Sequence, residues 1–111
     1  GCKLGRTLGY PTANLRIRRC RSAVNGVLAV RVHGMSGQPL AAVASLGTRP
    51  TVEGVEPLLE VHVFDFAGDL YGRWLEVEFV AKLRDEEKFS SLEAMIEQMH
   101  RDERAARAIL L

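Results

Sequence analysis

The apolar residues of this chain change period once, near residue 85, and that change restricts the fold more than any other feature of the sequence. Before it, Val27–His33 alternates and is rich in β-branched residues, the turn-prone "GMSGQP" follows, and Leu40–Leu46 reads as the hairpin partner. "GTRPTVEGVEP" reads as a long loop and Leu58–Phe66 as the next strand. After the turn "AGDLYG", Arg73–Arg84 reads as a long strand with Leu75, Val77, Phe79, Ala81 and Leu83 on one face. Beyond the change, Leu92, Met95, Ile96 and Met99 recur at helical spacing, with Ala106 and Leu110 extending the stripe. Ser90 and Glu93 give a capping-box start. The pattern predicts an antiparallel sheet, curled or closed into a small barrel, with one helix packed on its outside or across one end. The methionines of that helix read as core filler.

A chain of 111 residues suits one small domain. No apolar run approaches the roughly 18 residues of a membrane span, and the two cysteines, Cys2 and Cys20, read as free thiols in a reducing cytoplasm. The net charge of +1 conceals an asymmetry: residues 1–52 hold eight bases and no acid, and residues 53–111 hold all fourteen acids against seven bases. A basic half of that kind attracts phosphate, and the acidic half can supply carboxylates for a base or a metal. Two solvated faces that attract one another would give the same balance.

Three short strings carry chemistry. In "LGYPTANL", residues 8–15, Gly9 and Pro11 interrupt regular structure, and Thr12 and Asn14 lie two apart, so in an extended stretch they share a face. A hydroxyl and an amide carbonyl there can hold a hard cation such as Mg²⁺, with nearby amides around phosphates. The string is not a Walker A loop, because no Lys-Ser or Lys-Thr follows the glycines. In "LLEVHVFDF" a strand puts Glu60 and His62 on one face, where a carboxylate is costly unless it is exposed or used. Glu60 could act as a general base toward an alcohol; these two residues alone are too few for zinc. "SLGTRPTVEG" repeats the glycine-then-Pro-Thr form; such a loop can close over a nucleotide, but by itself it reads as a rigid connector.

Together these strings resemble the riboflavin kinase family, in particular the C-terminal kinase domain of the bacterial bifunctional riboflavin kinase/FMN adenylyltransferase (FAD synthetase). The matching segments are "GRTLGYPTANL" at 5–15, "NGVLAVRV" at 25–32, "SLGTRPTV" at 45–52, "LEVHVFDFAGDLYG" at 59–72 and "LRDEEKFSSLEAMIEQMHRD" at 83–102. The resemblance implies a mainly β fold, a six-stranded antiparallel Greek-key barrel followed by a helix. It also implies phosphoryl transfer from ATP to the ribityl 5′-hydroxyl of riboflavin, giving FMN and ADP. By the same resemblance, Thr12 and Asn14 match metal and phosphate ligands for Mg²⁺, Gly5 and Gly9 the phosphate-side loop, Glu60 the catalytic base, and Arg84 the end of the flavin pocket. Residues 1–111 then form a kinase domain fused in the full protein to an N-terminal FMN adenylyltransferase domain. The family has a strand before the segment matching Gly1 to Arg6, so the first strand of the barrel is expected to be missing here.

The chain departs from the family at Tyr10, where phenylalanine is common, at Ser45, where asparagine is frequent, and at Leu28, where tyrosine is frequent; no site role is carried to Ser45 or Leu28. Two other classes fit a small barrel. One is a nucleic-acid-binding module using "RIRRCR" at 16–21, which would want aromatic platforms where only Tyr10 is near. The other is a flavin-binding domain without turnover. The kinase reading excludes nucleic acid and membrane as partners.

Overall fold

The computed structural model describes residues 2–3, 14–17, 25–34, 37–65 and 74–111, with residues 2–3, 14–17 and 49 described by their backbone. Its elements in chain order are β1 (Cys2–Lys3), β2 (Asn14–Ile17), β3 (Gly26–His33), β4 (Leu40–Thr51), β5 (Gly54–Val63), β6 (Trp74–Arg84) and α1 (Leu92–Leu110). The strands form one sheet in the order β1-β2-β6-β3-β4-β5. Strands β3, β4 and β5 are consecutive antiparallel neighbours, and β6 returns to lie beside β3, which is the spatial order of a Greek key. The expected mainly β chain with a terminal helix is therefore present. The all-antiparallel expectation is corrected in one place, because β2 pairs with β6 in parallel, Asn14 opposite Trp74 and Ile17 opposite Val77.

Each face of the sheet has its own core. Leu28, Val30, Val32, Ala42, Ala44, Leu46, Leu59, Leu75 and Val77 are buried together on the face turned away from α1. On the other face Ala29 and Phe64 meet Ala106 and Leu110 of the helix, with Ala41, Val43, Val80 and Leu83 around them. The alternation expected along the last strand holds for Leu75, Val77 and Phe79, but Leu83 belongs to the helix side. Two bulges cause this. Val30 faces Phe79 while Ala29 faces Ala81, and Leu28 faces Lys82 while Val27 faces Arg84, so Val80 and Leu83 are extra residues on β6. Each extra residue shifts the alternation by one and turns Arg84 toward the helix.

Gly26 opens β3 at φ 121, and a Cβ there would stand 2.5 Å from the Arg84 carbonyl oxygen, so only glycine fits where the start of β3 meets the end of β6. The segment read as a loop, residues 47–57, is instead the distal part of a hairpin, with Gly47 opposite Leu58 and Thr51 opposite Gly54. Pro50 and Pro57 are tolerated in it because β3 pairs with β4 only as far as Leu46, and past that point each strand has one side unpaired among the described residues.

The helix begins one residue later than its sequence signature suggests: Ser91, not Ser90, is the N-cap, and its hydroxyl accepts from the Ala94 amide at 3.1 Å. Its buried stripe is Asp102, Ala106 and Leu110. Met95 and Met99, expected as core filler, are exposed, at 36% and 50%, as are Leu92 and Ile96 of the same stripe, at 66% and 42%. The reason is the reach of the sheet, which among the described residues meets the helix along its C-terminal half, where Arg31 also donates to the Leu110 carbonyl oxygen.

Candidate functional site

The pairing register builds one rung across four strands. Arg84 on β6 lies opposite Val27 on β3, Val27 opposite Ser45 on β4, and Ser45 opposite Glu60 on β5. Partners across a ladder share a face, and this is the helix side, since Ser45 follows Val43 by two residues and Glu60 precedes Phe64 by four. Glu60 is exposed, and its carboxylate has no hydrogen bond or ion pair among the described residues. His62 shares the face as expected and meets the Phe64 ring in a T-shaped contact, 6.1 Å between centroids. The Ser45 hydroxyl donates to Glu86, just after the end of β6.

Arg84, expected at the end of a flavin pocket, has its guanidinium occupied. Nε and Nη2 donate to the two oxygens of Asp102 at 2.9 and 2.8 Å, Nη1 donates to the Asp85 carbonyl at 3.1 Å, and the group lies over the Phe89 ring at 5.8 Å. Burial raises the Asp102 carboxyl, but hydrogen bonds from Arg84 and Gln98 and the arginine charge outweigh it and hold the group below the usual carboxylate range. The guanidinium is shifted up, first by its hydrogen bond to Asp102. This forked pair ties the end of the site strand to the helix. A second tie lies farther along, where Arg107 stacks over Phe64 at 4.6 Å and reaches Asp65 and Glu103.

Gly5, Gly9 and Thr12 lie outside the described residues, as does Cys20. Asn14 begins β2, and its backbone pairs with Trp74 at the opposite end of β6 from Arg84. Among the described residues β2 packs on β1 and β6 while β5 packs on β4. The structure thus brings Glu60 and Arg84 to one rung. Sequence reading missed Ser45, Glu86 and Asp102. Asp102 had a signal: it stands four residues before Ala106 on the buried stripe, and a carboxylate there calls for a basic partner.

A family model described as riboflavin kinase (Flavokinase) matches residues 1–110. The bifunctional riboflavin kinase/FMN adenylyltransferase of Escherichia coli (strain K12) is 51% identical over 107 residues, covering 96% of this chain and 34% of that protein. The protein of the same name from Pseudomonas fluorescens is 50% identical over 110 residues, covering 98% of this chain and 35% of its own length. The chain thus spans about a third of these relatives. A solved structure described as a macrolide-efflux protein from Streptococcus pneumoniae is similar at a TM-score of 0.69 and 36% identity, over 76% of this chain and 27% of that one. Among the described residues no helix is long and apolar enough to cross a membrane. With half of its residues shared with such relatives and a family match that runs almost from end to end, the chain belongs to the riboflavin kinase family.

Proposed function

We propose that the chain is the kinase domain of a larger flavin-forming protein, transferring the γ-phosphoryl group of ATP to the ribityl 5′-hydroxyl of riboflavin to give FMN and ADP. The observation that carries this is Glu60, an exposed carboxylate without a partner among the described residues, on a strand that is otherwise apolar on its other face. Phosphoryl transfer rests on alignment and charge neutralisation, and a base for the alcohol adds to it. Glu60 accepts the hydroxyl proton as the oxygen attacks the terminal phosphorus. Thr12 and Asn14 offer a hydroxyl and an amide carbonyl oxygen, a hard donor set that fits Mg²⁺. When bound, the ion offsets phosphate charge. Gly5 and Gly9 let the backbone come close to the phosphates.

Leu92, Met95, Ile96 and Met99 supply apolar cover for the isoalloxazine ring, and Arg84, fixed by Asp102, holds the strand end that walls it. Closure of the sheet into a barrel belongs to the same reading: nine buried apolar side chains lie on the face that α1 does not cover, and a sheet curled on itself covers them. The remaining two thirds of the protein are read as the FMN adenylyltransferase domain named in its relatives.

The test is FMN formation from riboflavin and Mg-ATP, followed by chromatography, in the protein that carries this chain. Glu60→Gln should lower kcat by roughly 10²- to 10⁴-fold with little change in riboflavin or ATP affinity. His62→Gln is the control. An active Glu60→Gln beside an inactive His62→Gln would assign the proton to the wrong residue.

A further inference from the structure

The rung that carries Glu60 also carries a hydroxyl whose orientation is set. Ser45 donates its proton to Glu86 Oε1, which leaves only lone pairs to offer anything beside it. Glu60 is its cross-strand partner, so the two Cβ atoms stand about 5 Å apart on one face. Two residues farther along β4, Gly47 presents no side chain, and a Cβ there would meet nothing nearer than Glu86 Oε1 at 3.9 Å. One patch therefore holds a carboxylate unengaged among the described residues, an acceptor-only hydroxyl and a glycine whose missing side chain leaves Glu86 uncrowded.

We infer that Ser45, held by Glu86, is a specificity-determining residue that accepts a hydrogen bond from the substrate hydroxyl next to the one phosphorylated. This deepens the kinase reading and rests on it. A ribityl chain carries hydroxyls on neighbouring carbons, each a donor. The terminal one gives its proton to Glu60, and its neighbour donates to the Ser45 oxygen. A substrate with an ether or carbonyl in that place sets acceptor against acceptor and is disfavoured. Glu86 touches no substrate atom in this scheme; it is a positioning residue that acts by fixing the Ser45 proton. The transferred groups are unchanged: the alcohol oxygen gains the phosphoryl group, its proton passes to Glu60, and ADP leaves.

The experiment compares riboflavin with its 4′-deoxy analogue in the full protein, using wild type, Ser45→Ala, Glu86→Leu and Glu86→Gln. Wild type should prefer riboflavin. Ser45→Ala should lose about 10-fold in kcat/KM on riboflavin, as a missing hydrogen bond implies, and nothing on the analogue. Glu86→Leu should follow Ser45→Ala, and Glu86→Gln, whose amide oxygen still accepts from Ser45, should lose less. Quenching of flavin fluorescence on binding, measured without ATP, should rank the variants in the same order. Equal losses on both substrates, or a wild type indifferent to the 4′-hydroxyl, would overturn this inference while leaving the kinase reading intact. A wild type that makes no FMN would overturn both.

Discussion

Removing Asp102 should cost this domain far more than removing any exposed acid of its helix. Asp102 is 5% exposed and accepts both forks of the Arg84 guanidinium as well as a hydrogen bond from Gln98 at 3.0 Å. Deleting one partner of a fully buried pair costs about 3–5 kcal/mol, because the other charge is stranded. Arg84 is not fully buried: its side chain is 19% exposed and keeps the Asp85 carbonyl and Glu87 at 3.7 Å. Partial resolvation brings the expectation for Asp102→Ala to about 2–3 kcal/mol. The control is Glu97→Ala, which removes the exposed Arg101 pair one and a half turns earlier and should cost about 0.3–0.5 kcal/mol. Urea unfolding followed by far-UV circular dichroism measures both, with an unchanged slope showing that the midpoint shift is a stability change. The double variant Arg84→Met with Asp102→Leu should recover most of the loss, because the stranded charge goes with its partner. If Asp102→Ala lies as close to wild type as Glu97→Ala, the pair does not join the helix to the sheet and the reasoning fails.

Because the Asp102 carboxyl is held below its ordinary range, its contribution is complete above about pH 4 and declines as pH falls through the lowered folded-state value. Wild type should thus lose stability on acidification more steeply than Asp102→Asn, as measured by urea midpoints between neutral and acid pH. Gly26→Ala must place a methyl 2.5 Å from the Arg84 carbonyl at φ 121, and a loss of at least about 2 kcal/mol in thermal or urea unfolding is expected. Phe64→Ala empties the helix-side core beneath Arg107 and should cost about 3 kcal/mol in the same assay; a value below about 1 kcal/mol would mean the ring is not packed as described.

Strands β3 and β6 could be read from the sequence because β3 is a nearly continuous apolar, β-branched run that is buried along most of its length, and β6 alternates from Leu75 to Phe79. The bulges at Val80 and Leu83 could not, since one extra residue leaves no compositional mark and is fixed by the partner strand. Parallel pairing of β2 with β6 is likewise decided by a partner some sixty residues away in sequence. Pro50 and Pro57 pointed to a loop because a proline is expensive only where its missing N–H would have been bonded, and that depends on how far β3 extends. The stripe Leu92, Met95, Ile96 and Met99 has the same period whether its own sheet covers it or nothing in the fold does. At the site, the shared face of Glu60 and His62 follows from strand geometry alone. Their neighbours Ser45 and Glu86 come from other elements, and no local pattern announces them.

The long β4–β5 hairpin has a consequence for how the molecule breathes. Past Leu46 and Leu59 it is, among the described residues, a two-stranded ribbon with no third strand, and Val52 and Val55 at its tip are 104% and 72% exposed. Such a ribbon holds little stability of its own, so amide hydrogens near Val52–Val55 should exchange with deuterium orders of magnitude faster than those of Ala42 and Ala44 at its root. Ser45 and Glu60 sit at the junction between these two regimes. Their backbone inherits the rigidity of the sheet on one side and the motion of the ribbon on the other.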